Sequence, residues 1–233
     1  MAGTFEPDED PPAYSEIAPP QANSRFPTEL NLYFPSGSFF LGLSVTQPLY
    51  SLSVDHRQFT PPEVEIVLRA GPDRESPTLA TLNIRGNDVR IWAPKQAEVD
   101  LSPFSISTFP PTGRLGTGYG TYVFTVPVLG SDQSEEYAWT HSSVPDILQV
   151  KTHWTLSRKQ SGNDASGSGS RPSGAPRARD ETVATLSFKK DSRSKIGTIK
   201  FEGSGATGEL GDRWALVTIL TALAVWQHKP GAR

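Results

Sequence analysis

The chain contains no cysteine in its 233 residues. This absence excludes a disulfide framework and any metal site built on thiolates. The four histidines lie far apart and lack the short spacings typical of metal ligands: His56, His141, His153 and His228. The sequence therefore predicts no metal site, and no cofactor is expected.

The common signatures of catalysis are also missing. There is no G-x-S-x-G nucleophile elbow, no G-x-x-x-x-G-K phosphate loop and no H-E-x-x-H zinc motif. We therefore expect no catalytic residues and no enzymatic activity. Nucleic-acid binding is not expected either, because the formal net charge is -3 and no basic-aromatic strand motif of the RNA-recognition type occurs.

Export signals are absent from the sequence. The chain opens with acidic residues and Pro7 instead of a basic and then apolar signal segment, and it contains no Asn-x-Ser/Thr glycosylation acceptor. These observations favour a cytoplasmic protein, and contact with a membrane is expected to be peripheral.

Two segments are too polar to build a core. Residues 1–29 contain six prolines and few large apolar side chains, and residues 160–180 consist largely of serine, glycine and arginine. Neither segment can bury enough surface to offset the entropy of ordering. We predict a disordered acidic leader over 1–29, one domain over 30–229 with a disordered insertion at 160–180 between two strands, and a tail over 230–233.

Charge is segregated along the chain. Residues 1–30 carry six acidic side chains and one basic side chain, whereas residues 151–200 carry eleven basic and four acidic ones. A solvated tail and loop explain this pattern, and so does a basic surface that meets anionic headgroups or phosphates.

Alternating apolar and polar residues predict about twelve β-strands. Val64, Ile66 and Leu68, for example, alternate with charged side chains, which is typical of a half-buried strand. Glycine- and proline-rich turns separate the runs, as expected for antiparallel pairing. The runs cover residues 30–34, 38–45, 48–54, 64–70, 78–84, 88–92, 104–109, 122–128, 136–140, 148–156, 182–188 and 196–201.

The last apolar run, Trp214 to Trp226, predicts a helix. Asp212 is the expected N-cap, and His228 to Pro230 supply a stop. At 1.5 Å per residue the run is about 20 Å long, too short for a bilayer core of roughly 30 Å, so no transmembrane span is predicted. Only Thr218 and Thr221 are polar within it, and a helix that is apolar on every face must be surrounded by other parts of the protein.

The predicted fold is therefore mainly β, a closed antiparallel β-barrel of about twelve strands enclosing a hydrophobic C-terminal α-helix. Trp92, Trp139 and Trp154 are assigned to its core. The segment Gly203 to Gly208 spells G-x-G-x-x-G, but no second parallel strand can follow the helix, so we interpret it as a turn and not as a dinucleotide site.

The leader contains a P-P-x-Y sequence at Pro11, Pro12 and Tyr14. Such peptides form polyproline II readily and bind the aromatic grooves of WW domains. These three residues are the candidate WW ligand, and an inert solvated tail is the alternative.

The strand pattern, the glycine-rich turn and the apolar last helix resemble the tubby C-terminal-like superfamily, which comprises tubby proteins, phospholipid scramblases and LURP-one-related proteins. Gly197 to Phe201 followed by Arg213 to Val217 is most similar to uncharacterised fungal tubby-like domain proteins. The resemblance implies a twelve-stranded barrel threaded by a hydrophobic helix, and phosphoinositide binding through exterior basic residues. The chain lacks the cysteine-rich stretch and the calcium segment of scramblases, so lipid scrambling is not expected.

The basic side chains near the end of the predicted sheet are the candidate lipid-headgroup ligands: Lys189, Lys190, Arg193 and Lys195. The expected function is that of a non-enzymatic tubby-like protein that binds anionic phospholipids and recruits a WW-domain partner. The alternative is a protein-interaction scaffold or adaptor without lipid binding.

Overall fold

The computed structural model describes ten stretches of the chain, with residues 104–108 and 142 described as backbone alone. They are residues 25–35, 37–59, 62–86, 88–92, 104–108, 121–127, 134–142, 152–159, 180–188 and 194–228. The P-P-x-Y sequence, most of the predicted insertion and the 230–233 tail lie outside them.

Twelve strands and two helices occur in the described residues. The first six strands are β1 (Glu29–Tyr33), β2 (Phe39–Ser44), β3 (Gln47–Arg57), β4 (Glu63–Arg69), β5 (Thr78–Arg85) and β6 (Asp88–Trp92). The remaining strands are β7 (Phe104–Thr108), β8 (Tyr122–Pro127), β9 (Ser134–Ser142), β10 (His153–Lys159), β11 (Glu181–Phe188) and β12 (Lys195–Phe201). The helices that follow are α1 (Gly203–Ala206) and α2 (Gly211–Gln227).

Each strand pairs antiparallel with its neighbours in sequence, and β1 also pairs with β12, so that the strand order forms a closed barrel. At this junction Glu29 lies opposite Lys200 and Asn31 opposite Thr198. Thr198 donates a hydrogen bond to the Asn31 side chain, and Asn31 donates one to the Leu43 carbonyl, which ties β12, β1 and β2 together. The predicted mainly β, antiparallel architecture with a C-terminal helix is confirmed.

Helix α2 is buried along its apolar length. All thirteen residues from Trp214 to Trp226 are buried. Its side chains contact rings from strands around the sheet, with Trp226 against Phe39 of β2 at 5.2 Å and Trp214 against Phe201 of β12 at 5.4 Å between centroids. The Trp139 indole of β9 donates a hydrogen bond to Thr221 at 2.9 Å, so one of the two polar helix positions has a partner in the core.

The ends of α2 differ from the prediction at one point. The helix begins at Gly211 with Leu210 as its N-cap and no side-chain capping bond, so the assignment of Asp212 as N-cap is wrong. The Asp212 carboxylate accepts the backbone N–H of Arg25 instead, at 2.9 Å. At the other end the helix stops at Gln227 as expected, and the His228 ring approaches the Gly86 carbonyl at 3.2 Å.

The described part of the predicted leader contacts the sheet. Phe26 is buried and its ring lies 5.6 Å from that of Tyr50, whose hydroxyl donates to the Arg25 carbonyl. The Phe201 N–H donates to the carbonyl of Thr28. Residues 25–28 therefore pack against the sheet although they fall within the predicted leader, because Phe26 supplies apolar surface in a segment otherwise rich in proline.

Two of the three tryptophans assigned to the core are buried and the third is exposed. Trp139 and Trp154 are buried in the core, as predicted. Trp92 is 41% exposed, so its assignment to the core is wrong. Val89 and Ile91 of the same strand are buried, and the two-residue period of a strand places Trp92 on the opposite face.

Candidate functional site

The predicted headgroup ligands belong to the connection between β11 and β12. Lys195 is the first residue of β12 and pairs with Tyr33 of β1. Lys189, Lys190 and Arg193 lie outside the described residues, as do the candidate WW ligands Pro11, Pro12 and Tyr14. The structure thus places one of the seven predicted site residues.

An aromatic surface lies beside the start of β12. The Phe34 N–H donates to the carbonyl of Ser194 at 2.7 Å, which fixes Phe34 next to the residue that follows Arg193 in the chain. Phe34 is 38% exposed and stacks on Phe39 with ring centroids 4.1 Å apart. Phe39 in turn contacts Trp226 at the C-terminal end of α2. An exposed ring is therefore anchored to the core at the end of the sheet where the basic connection begins.

A cavity of about 190 Å³ lies near the opposite end of α2. Its apolar wall comes from β8 and the start of the helix: Val126, Pro127, Leu210 and Trp214. Its polar wall comes from β9, β10 and the turn before the helix: Glu135, Tyr137, Arg158 and Glu209. Apolar and polar residues thus contribute equally to the lining, and several polar groups converge on one side of the cavity.

A continuous network of hydrogen bonds and ion pairs supports the polar wall. Glu135 accepts from the Tyr137 hydroxyl at 2.6 Å through Oε2 and from the Arg158 guanidinium through Oε1. The other end of the Arg158 fork lies 3.7 Å from Glu181, and Glu181 Oε1 accepts the backbone N–H of Ser204 at 2.8 Å. The network therefore joins β9, β10, β11 and α1.

These contacts shift the pKa values of the acidic and phenolic side chains in the network. Burial opposes ionisation of Glu135, but hydrogen bonds from Arg158 and Tyr137 outweigh it and lower the Glu135 pKa. The backbone N–H of Ser204 lowers the pKa of Glu181. Burial, together with the adjacent Glu135, raises the pKa of Tyr137, so the phenol remains a hydrogen-bond donor at neutral pH.

Sequence reasoning missed this cavity. The sequence pattern singles out neither Glu135 nor Tyr137, and the tenth predicted strand, residues 148–156, ends before Arg158. Tyr137 and Arg158 are direct partners in the pairing of β9 with β10, and Glu135 shares the face of Tyr137 because it lies two residues before it. The two-residue spacing of Glu135 and Tyr137 could have indicated that they share a face. The sequence of neither strand, however, predicts the pairing register that places Arg158 opposite Tyr137.

Neither a metal centre nor a membrane span is found in the part of the chain that the structure describes. No group of three or more histidine or acidic side chains comes together there in a way that would hold an ion. None of the helices in those same stretches has both the length and the apolar character needed to cross a bilayer.

No protein-family model, curated protein or solved structure matches this chain. What can be inferred about its function therefore comes from its own residues and their geometry.

Proposed function

We propose that this chain is a non-enzymatic, tubby-like barrel protein that binds anionic phospholipid at the end of the sheet carrying the β11–β12 connection, and that its leader recruits a WW-domain partner. The observation that supports the lipid role most directly is the anchored, exposed Phe34 beside Ser194, at the edge of a segment with four basic residues. Interfacial aromatic side chains combined with lysine and arginine are what peripheral membrane proteins use to bind anionic bilayers.

The buried helix is consistent with this proposal. In a tubby-like barrel the C-terminal helix is the internal plug, and the membrane contact uses the exterior of the sheet. Since Trp214 to Trp226 are already buried by the chain's own residues, α2 is not the membrane anchor.

Charge reversal of the basic connection is expected to abolish lipid binding. Each basic side chain near an anionic surface contributes about 1 kcal/mol, so the four-fold variant should lose at least about a hundredfold in affinity. The measurement is co-sedimentation with phosphatidylcholine vesicles that contain or lack phosphoinositide, at low and physiological salt. The variant replaces these residues with glutamate: Lys189, Lys190, Arg193 and Lys195.

The matched control carries the same change in formal charge away from the β11–β12 connection. It replaces four other basic residues with glutamate: Arg74, Arg90, Lys159 and Lys200. At physiological salt its sedimentation should stay within about threefold of the unmodified protein, because the longer-range attraction is screened there. Absence of binding by the unmodified protein at low salt, or equal losses in the two variants, would discard the lipid role.

The leader is expected to bind a WW domain through Tyr14. A peptide of residues 1–30 titrated into a WW domain that recognises P-P-x-Y should lose at least about tenfold in affinity on Tyr14→Ala, because the tyrosine fills part of the aromatic groove. Phe5→Ala in the same peptide is the control and should change nothing. If the Tyr14→Ala peptide binds as well as the original, the motif is not used.

The second candidate function is a protein-interaction scaffold without lipid binding. The P-P-x-Y sequence favours it independently of the barrel surface. Retained WW binding together with failed sedimentation selects this alternative.

A further inference from the structure

We propose that Ser194 is a phosphorylation site, and that phosphate on its hydroxyl releases the protein from anionic membranes. This inference rests on the proposed lipid binding, because it concerns the regulation of that same surface. A serine phosphate carries about two negative charges at neutral pH, and a basic cluster that binds anionic lipid is released when such a charge is added to it.

Ser194 lies opposite the exposed Phe34 at the end of the β1–β12 ladder. Tyr33 pairs with Lys195, and the next rung joins the Phe34 N–H to the Ser194 carbonyl at 2.7 Å. Opposite residues in an antiparallel ladder have Cβ atoms about 5 Å apart. A phosphate on Ser194 would therefore stand beside the ring that supports the lipid role most directly.

The position of Ser194 in the fold permits modification. The residue lies in a bend immediately before β12 and is half-buried, so part of it meets solvent. Its bond to Phe34 uses the backbone carbonyl alone, so a modified hydroxyl leaves this bond intact. The modification is thus expected to change the charge of the surface without unfolding the barrel.

The flanking charges favour recognition by a serine kinase that has an acidic substrate groove. Arg193 directly precedes Ser194 and Lys195 directly follows it. Complementary charge of this kind sets partner choice between kinases and their substrates. The kinase would use ATP as the co-reactant. The Ser194 hydroxyl oxygen forms a bond to the γ-phosphorus, the bond from that phosphorus to the bridging oxygen breaks and releases ADP, and the hydroxyl proton passes to the kinase.

The charge added at Ser194 is large compared with that of the surrounding segment. Four basic side chains and Asp191 give residues 189–195 a net charge of +3. A phosphate reduces this to about +1. Each unit of charge near an anionic surface changes affinity about fivefold, so phosphorylation should weaken lipid binding about thirtyfold.

The test compares the full chain carrying phosphoserine at position 194, installed by genetic-code expansion, with the chain carrying serine. Both are sedimented with phosphatidylcholine vesicles that contain phosphoinositide, at physiological salt. The phosphoserine form is expected to bind about thirtyfold more weakly. Equal binding of the two forms would overturn the proposed release and leave the lipid role standing. No binding by the serine form would discard the lipid role, and the release with it.

Matched variants separate charge at Ser194 from charge elsewhere. Ser194→Glu should bind about fivefold more weakly, and Ser194→Gln, which has the same size without the charge, should stay within about twofold. Ser134→Glu is the control for position, because Ser134 is exposed at the start of β9 and pairs with Pro127 near the opposite end of α2. Equal losses in the two glutamate variants would overturn the assignment to Ser194.

Phosphopeptide mapping tests whether kinases use the site. The full chain is expressed in a eukaryotic host and analysed by mass spectrometry. Phosphate is expected on Ser194, and the corresponding phosphopeptide should disappear in Ser194→Ala. Absence of phosphate from Ser194, with or without phosphate on other residues, would overturn its assignment as a modification site.

Discussion

Leu220→Asp is expected to prevent folding of the chain. Leu220 is fully buried at the middle of α2, one residue before the Thr221 hydroxyl that accepts the Trp139 indole N–H. Loss of the leucine side chain alone should cost about 2–5 kcal/mol, and a carboxylate buried without a partner adds a further penalty. The sum approaches the 5–15 kcal/mol that typically separates folded from unfolded domains. Circular dichroism and urea denaturation of the purified protein measure the effect.

The matched control is Leu43→Asp, at a leucine that is 43% exposed on β2. Its stability should stay within about 0.5 kcal/mol of the unmodified protein. Leu220→Ala should fall between the two, with a loss of about 2–5 kcal/mol. If Leu220→Asp unfolds at the same urea concentration as Leu43→Asp, α2 is not part of the core.

Gly205→Ala is expected to destabilise the protein by about 3 kcal/mol, although alanine normally favours a helix. A Cβ at Gly205 would lie 2.4 Å from the Val183 carbonyl oxygen and 2.6 Å from the Trp214 ring. That carbonyl already accepts the N–H of Glu202, so it cannot move without loss of a hydrogen bond. Forced overpacking of this kind costs about 1–3 kcal/mol and sometimes more. The midpoint of urea unfolding gives the value.

Gly37→Ala is the control for this prediction. Gly37 has a φ of 84° and nothing within 4 Å of an added Cβ, so its substitution carries backbone strain without a clash. It should cost about 1–2 kcal/mol. A Gly205→Ala protein at least as stable as the original would show that the turn into α2 is not tightly packed against β11.

Hydrophobic patterning predicted the strands that have one buried face and the helix that is buried on every face. The alternation in β4 gives buried Ile66 and Leu68, and the uninterrupted apolar run of α2 gives a helix buried on every face. Strand ends were less predictable. β3 continues to Arg57, beyond the last apolar residue Val54, because Arg57 pairs with Glu63 and Glu65 of β4 across the extended ladder.

The cavity could not be predicted either, because it too depends on a strand that continues beyond its last apolar residue. β10 continues to Lys159 in a polar stretch, and Arg158 acquires its role only from the register that places it opposite Tyr137. The positions of Glu209 and Trp214 beside the β9 residues of the cavity depend on where the chain turns after β12. The periodicity of a single strand predicts neither the pairing register nor the position of this turn.

The pairing of Glu29 with Lys200 has a consequence for synthesis. β1 cannot form hydrogen bonds along both of its edges until β12 has been synthesised. Helix α2, which supplies much of the core, is synthesised later still. The nascent sheet would expose apolar surface and an open edge during most of translation, conditions that favour aggregation and chaperone binding. Contacts this distant in sequence also slow folding, so native structure should form only after α2 has been synthesised.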